Sequence, residues 1–260
     1  MDHLPIVMKK KPIGIYFRKI FLKTRKKSKN IKVFLMAGGK GKRLNPYTLK
    51  TPKPMLIIDK KPMLYYVLKN YFSQGFNNFY ISVNFRYKQI TDYFKDGSFL
   101  GVKISYIKEK KPLGTAGSLG NLKYQNIEDV LVSNCDIMTD INYSSIIDFH
   151  KKFKADVTMA VKSSILQSQF GVIENNGIRI KSIKEKPKIT QYVNAGIYIF
   201  KGSILNKIKN NRYLNMNSLL SKLIDDKKKV ILYPLYESWI DLGTHKDLNY
   251  YKNIKIRNEK

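Results

Sequence analysis

From Ile31 onward the chain alternates between short apolar runs and segments with helical spacing. "KVFLMA" (residues 32–37) is a continuous apolar run closed by Gly38. A run of this length without polar alternation reads as a buried parallel strand. Between Pro62 and Gln74, apolar side chains fall at 63, 64, 67, 68, 71 and 72, with proline at the first turn and Gly75 just past the end. That spacing predicts a helix. The theme then repeats. "NFYISVN", "VKISYI", "DVLVSNCD" and "DVTMAVK" read as strands, and "YKQITDYF", the glycine-opened "GTAGSLGNLK" and "NYSSIIDFHKKF" read as helices.

Strand–helix alternation over such a length predicts an α/β fold with a doubly wound, mostly parallel sheet. Ligands in these folds sit beyond the carboxyl ends of the strands. "LMAGG" and "LVSNCD" both end strands, so their termini should face one crevice. After Lys162 the pattern changes to a small β-rich subregion. "FGVIENNGIRIKSIKEKP" reads as a hairpin turning at Asn175-Asn176-Gly177. The strand "YVNAGIYIF", the helix "MNSLLSKLIDDK", the strand "VILYPLY" and a closing helix "THKDLNYYKN" follow. Residues 1–30 differ from the rest and read as a hairpin, a short helix and a basic linker. They are set apart from a main domain at residues 31–255.

The stretch "LMAGGKGKRLNPYTLKTPKPML" holds the densest chemistry. Gly38, Gly39 and Gly41 permit close backbone approach and positive φ, and amides in such a turn form an anion-binding nest. Arg43 adds a planar fork suited to phosphate oxygens. Pro46, Pro52 and Pro54 stiffen the loop that carries Lys53. A Walker A loop is excluded, because the spacing fails and no Ser or Thr follows the lysine. The dinucleotide fingerprint is excluded as well, because Leu44 takes its third glycine position.

Charge changes this picture little. The 49 Lys and Arg against 19 Asp and Glu give a formal charge of +30. The lysines occur throughout instead of in one stripe, which reads as solvated faces. A nucleic-acid binder would need a continuous basic surface with exposed aromatics, whereas the tyrosines fall mostly at core-like positions. No apolar run approaches the length of a membrane span, and the N-terminus lacks a signal-peptide core. One cysteine, Cys135, rules out an internal disulfide and a cysteine-based zinc site. A reduced cytoplasmic enzyme is the default expectation. His3, His150 and His245 are too scattered for a metal cluster.

"GGKGKRLNPYTLKTPKPM" resembles the signature GGxGxRLxPxTxxxPKPM of the sugar-1-phosphate nucleotidyltransferases, with agreement at eleven fixed positions. The resemblance continues in family order through "KPLGTAGSL", "NCDI", "FGVI", "EKP", "VNAGIYIF" and "WIDLGTHKDL". Within the family the chain is most similar to bacterial members with N-terminal CBS domains, a group that includes mannose-1-phosphate guanylyltransferase-like enzymes. Residues 3–28 look like the end of a CBS module, so the N-terminus reads as a remnant or a truncated start.

The resemblance implies a GT-A-like nucleotidyltransferase fold and a reaction. An NTP, with GTP favoured, and a sugar 1-phosphate give an NDP-sugar and pyrophosphate, for glycan or surface polysaccharide synthesis. It implies Mg²⁺ as cofactor, held by Asp136 and Asp241. Arg43 is expected on the leaving phosphates and Lys53 near the α-phosphate. Ala37, Gly38, Gly39 and Gly41 are expected beneath the nucleotide, with Gly114 and Thr115 framing the base. Glu109 could accept from the guanine N1–H and amine, and a solvated glutamate is the competing reading. Gly171, Glu185 and Asn194 are expected on sugar hydroxyls and Lys186 on the sugar phosphate. For "IKEKPK" the alternative is an exposed charged turn. Cys135 departs from the family's usual glycine and could crowd the ribose.

Substrates are the expected partners, without nucleic acid or membrane, and homo-oligomerisation is left open. Uridylyl, thymidylyl or cytidylyl transfer is the nearest alternative. A non-catalytic, nucleotide-sensing homologue is an alternative of another class.

Overall fold

A computed structural model describes the backbone of residues 3–8, 11–17, 31–122 and 127–258, and the side chains of residues 31–122 and 127–253. Two strands come first, β1 (His3–Met8) and β2 (Lys11–Phe17), paired antiparallel as the expected hairpin. The short helix expected after them lies outside the described residues.

The main sheet is built from β3 (Lys32–Met36), β6 (Asn78–Val83), β7 (Lys103–Lys108), β8 (Asp129–Asn134), β10 (Val157–Gln167), β13 (Lys188–Lys201) and β14 (Val230–Leu235), in the order β14-β10-β13-β8-β3-β6-β7. Only β13 runs against its neighbours; the β14–β10, β8–β3, β3–β6 and β6–β7 pairs are parallel. Val33, Phe34 and Leu35 at the centre of β3 are fully buried on both faces, which is why this strand shows no polar alternation.

Helices cover both faces. On one, the helices Met63–Ser73 and Tyr143–Lys152 bury Leu64, Leu68 and Ile146 in a core with Leu35 and Leu131. On the other, the helix Met216–Asp225 buries Leu219 and Leu223 in a core with Phe34 and Val132. Asn142 caps its helix by accepting from the Ser144 amide at 3.0 Å. The expected helix over "GTAGSLGNLK" is instead a 3-10 helix at Gly117–Leu122. Its glycines press against other backbone. A Cβ on Gly117 would lie 2.2 Å from the Arg212 carbonyl oxygen.

Small strand pairs complete the fold. β4 (Ile57–Asp59) pairs with β5 (Lys61–Pro62), and β9 (Ile137–Thr139) pairs antiparallel with β15 (Trp239–Asp241). The β-rich subregion is the hairpin of β11 (Val172–Asn176) and β12 (Arg179–Lys184). A register shift near Asn175 sets Ile180 opposite Asn175 and Ile183 opposite Ile173, so these isoleucines share one exposed face. Tyr71, Tyr143 and Tyr198 are buried, but Tyr47, Tyr93, Tyr192, Tyr213, Tyr236 and Tyr250 are exposed, so fewer tyrosines are core than their positions suggest. No helix among the described residues is long and apolar enough to cross a membrane.

Candidate active site

The parallel strands β3 and β8 are neighbours and end side by side. Beyond their ends lies a cavity of about 550 Å³. Ala37, Gly38, Gly39, Gly41, Arg43, Lys53, Glu109, Gly114, Thr115 and Asp136 all line it. These residues come from four separate stretches of chain, which the sheet topology brings to one crevice.

The glycine loop is held from within. Gly41 has φ +64°, and a Cβ there would sit 3.0 Å from the Thr48 methyl. The buried Thr48 hydroxyl lies 2.9 Å from both the Gly41 carbonyl and Asn45 Oδ1, two acceptors that share its one proton. His245 Nε2 meets the Asn45 carbonyl at 2.8 Å, tying the last helix (His245–Asn258) to the loop. Leu44 anchors the loop in the core. Thr48 is a fixed position of the signature but carried no role of its own in the sequence, and His245 was set aside there as too scattered from the other histidines for a metal cluster.

Lys53 sits in a 3-10 turn (Lys53–Met55) and is only 8% exposed. Its ammonium contacts Asp136 Oδ2 and lies 3.8 Å from Asp241 Oδ1. The two aspartates lie over 100 residues apart in sequence. They are brought together because β15 pairs with β9, setting Asp241 opposite Ile137, while the Leu242 amide donates to the Asp136 carbonyl at 3.0 Å. Burial pushes the Asp241 carboxyl above the ordinary aspartate range, the Asp136 charge adds to this, and Lys53 and Arg43 oppose it.

Asp136 Oδ1 and Asp241 Oδ1 are both shielded from solvent and lack a hydrogen-bond partner. Two orphaned carboxylate oxygens beside an incoming polyanion fit a hard divalent cation that keeps other oxygen ligands. No group of three or more His, Cys, Asp or Glu suited to a metal occurs among the described residues, so any such ion would take its remaining ligands from substrate and water.

Gly243, unremarked in the sequence, sets the place of Arg43. A Cβ on Gly243 would lie 2.9 Å from Arg43 Nη2 and 3.0 Å from Asp241 Oδ1. Only flexible side-chain ends would have to give way, so Gly243→Ala should leave stability nearly unchanged, within about 0.5 kcal/mol. Displacing the guanidinium should still lower kcat/KM about 10- to 100-fold. A thermal melt paired with a pyrophosphate-release assay checks both halves.

Glu109 is 9% exposed, not solvated, and its Oε2 accepts from the Leu113 amide at 3.3 Å. A Cβ on Gly38 would meet its carboxylate at 2.9 Å. Desolvation raises its pKa, and the Leu113 amide and the Ser118 and Ser82 hydroxyls pull the other way. Gly114 has φ +74° and could carry no side chain against the Leu214 carbonyl, 2.6 Å from a would-be Cβ. Thr115 does more than frame a cavity wall. Its hydroxyl accepts from the Met216 amide at 2.7 Å, across 101 residues, and so caps the helix Met216–Asp225. Cys135 is 5% exposed and packs in the core, where burial and the Asp136 charge push its thiol pKa up. It is therefore an inert packing residue that presents only a small surface to the crevice it helps line.

A second cavity of about 410 Å³ adjoins the first through Thr115 and Asn134. Asn194, Asp241 and Trp239 line it. The bulge in β13 shapes this wall: on the β10 side Met159 pairs with Tyr198 but Val161 with Asn194, so Ala195–Ile197 lie opposite the single residue Ala160. Gly171, Glu185 and Lys186 line neither cavity. They sit at the base of the exposed hairpin, where a Cβ on Gly171 would lie 3.1 Å from Glu185 Oε2 and Lys186 holds φ +43°.

Known proteins place this architecture. The chain matches the nucleotidyl transferase family over residues 32–256. It is 32% identical over 225 residues to the mannose-1-phosphate guanylyltransferase catalytic subunit beta of Dictyostelium discoideum, covering 84% of this chain and 62% of that one. It is 30% identical to the mannose-1-phosphate guanylyltransferase of Mycobacterium tuberculosis (82% and 61% covered). It is also 30% identical to the UTP–glucose-1-phosphate uridylyltransferase of Synechocystis (82% and 60% covered). The chain thus spans about three-fifths of the length of the curated relatives it matches. Among solved structures, HddC from Yersinia pseudotuberculosis shares the fold with a TM-score of 0.69 at 23% identity, over 86% of this chain and 99% of that one. With the signature loop, the paired aspartates and the family match over most of its length, the chain belongs to the sugar-1-phosphate nucleotidyltransferase family.

Proposed function

We propose that this chain transfers a nucleotidyl group from an NTP, with GTP favoured, to a sugar 1-phosphate, for glycan or surface polysaccharide synthesis. Residues 31–255 would form the transferase domain, working in the cytoplasm, preceded by a segment at residues 1–30 that resembles part of a CBS module. The observation that carries the reading is the convergence of Arg43, Lys53 and Asp136 on one cavity behind a glycine loop, with Asp241, on the wall of the adjoining cavity, beside Lys53. A phosphate oxygen of the sugar phosphate attacks the α-phosphorus, the bond from the α-phosphorus to the bridging oxygen breaks, and pyrophosphate leaves. No covalent protein intermediate is needed, so catalysis rests on positioning and charge neutralisation.

Arg43 grips the leaving phosphates over the Gly38–Gly41 backbone. Lys53 neutralises charge at the α-phosphate. Asp136 and Asp241 would hold Mg²⁺, which supplies further neutralisation of the phosphate oxygens when bound. Ala37 and Gly114 with Thr115 flank the nucleoside. Gly171, Glu185, Lys186 and Asn194 act on the sugar phosphate.

GTP is favoured over UTP and dTTP by the chemistry of Glu109. A carboxylate is an acceptor twice over and matches the adjacent N1–H and N2 amine of guanine. Uracil and thymine offer a single N3–H between two carbonyls, for which a carboxylate is a poor partner.

The test is pyrophosphate release with Mg²⁺ across a matrix of four NTPs and several sugar 1-phosphates. Release that needs one NTP and one sugar phosphate is expected, with GTP the best nucleotide. No release in any combination from folded protein would overturn the reading in favour of a regulatory homologue.

A further inference from the structure

The wall of the second cavity carries a polar arrangement more specific than a generic sugar pocket. Asn194 stands at the start of the β13 bulge. The Gly196 amide points at its side chain, 2.9 Å away. A backbone amide can only donate, so the atom it meets must be Oδ1. The Tyr198 hydroxyl lies 2.9 Å from the same Oδ1 and donates to it. Both lone pairs of Oδ1 are thereby used, and Asn194 can present only N–H to the cavity. Tyr198 itself is 3% exposed and packed against Phe200, so its hydroxyl has little freedom to turn away.

Facing this amide is Asn217, in the first turn of the helix Met216–Asp225. Its Oδ1 lies 3.4 Å from Asn194 Nδ2, long for an N–H···O bond. A hydroxyl between the two groups can accept from Asn194 and donate to Asn217 Oδ1, improving on the direct contact. The Asn217 amino group then remains to donate to a neighbouring hydroxyl. The helix start is fixed to the base-side loop by the Thr115 cap, so Asn217 does not drift relative to the nucleotide cavity.

We propose that Asn194 and Asn217 together read two neighbouring ring hydroxyls of the sugar, and that Tyr198 is a positioning residue that prevents the Asn194 amide from flipping. This rests on the function proposed above and extends it to residues that discriminate the sugar. The direction of the Asn194 hydrogen bond is set, so the pair selects a hydroxyl arrangement and not polarity alone.

The experiment compares wild type, Asn217→Ala and Tyr198→Phe on whichever of mannose 1-phosphate and glucose 1-phosphate the wild type turns over. The monodeoxy analogues of that sugar phosphate are run alongside, with NTP saturating. Losing one neutral hydrogen bond should raise KM for the sugar phosphate about 10-fold in Asn217→Ala and about 3- to 10-fold in Tyr198→Phe. kcat should stay within about threefold and KM for the NTP within about twofold. One monodeoxy analogue should cost the wild type about 10-fold and Asn217→Ala less than about twofold further, because the same bond cannot be lost twice. Additive penalties for every analogue, or a parallel rise in KM for the NTP, would overturn the inference while leaving the function standing. Absence of turnover by the wild type on any sugar 1-phosphate would overturn both. If Tyr198→Phe fails to fold, Asn217→Ala, on the exposed face of its helix, carries the test.

Discussion

Asp136→Asn should lower kcat for pyrophosphate release by about 10³-fold, the scale expected when one preorganised charge is removed from a phosphoryl-transfer site. Asparagine keeps the shape of the side chain but removes the charge that Lys53 contacts and that a cation would need. Lys53 would lose the carboxylate it touches and keep only Asp241, 3.8 Å away. A buried ammonium left with half its compensation is costly, so a loss of about 1–3 kcal/mol in stability should accompany the loss of activity. The second expected readout separates chemistry from folding. Wild type should gain thermal stability on adding Mg²⁺ with nucleotide, through binding to the native state alone. Asp136→Asn should lose most of that gain while still melting cooperatively. Activity within 10-fold of wild type would show that Asp136 serves Lys53 structurally and holds no cation.

The parts of this site that could be read from sequence are those governed by local rules. The ends of β3 and β8 were legible because a buried parallel strand needs an uninterrupted apolar run, and Gly38 and Asp136 mark where it stops. The glycine loop was legible because positive φ and close approach restrict residue type, as at Gly41. What escaped depends on long-range pairing. The meeting of Asp241 with Asp136 was expected only through the family resemblance, since β9 and β15, which bring them together, are too short to show any period. Gly243 escaped for the same reason. Its need to be glycine comes from Arg43, which arrives from 200 residues away. The helix expected at "GTAGSLGNLK" failed because its glycines answer to the backbone at 208–214 and not to helix propensity. Glu109 was indistinguishable in sequence from the solvated charges around it, Lys108, Lys110 and Lys111, and only the fold turns it inward.

Glu109→Gln should shift nucleotide preference from GTP toward UTP and dTTP by about 10²-fold in the ratio of kcat/KM values. The amide can donate to a pyrimidine carbonyl and accept from N3–H with one side chain, where the carboxylate could only accept. Against guanine it keeps one acceptor and adds a donor facing a donor, and an unpaired buried polar group costs about 1–3 kcal/mol. The substitution is nearly isosteric and should disturb neither the Leu113 contact nor the fit against Gly38. It also has a signature independent of catalysis. Burial raises the Glu109 pKa above that of the unfolded chain. The native state therefore holds the proton to higher pH than the unfolded state does. Stability is lost as pH rises from the ordinary glutamate range through the folded pKa, and the penalty is then constant. Glu109→Gln never acquires that charge. Its melting temperature should lie above that of wild type at neutral pH, and the difference should shrink as the pH falls through the window and wild type becomes protonated. If the two melting curves keep a constant offset across that range, Glu109 carries no buried charge in the folded protein, and the electrostatic case for guanine falls with it.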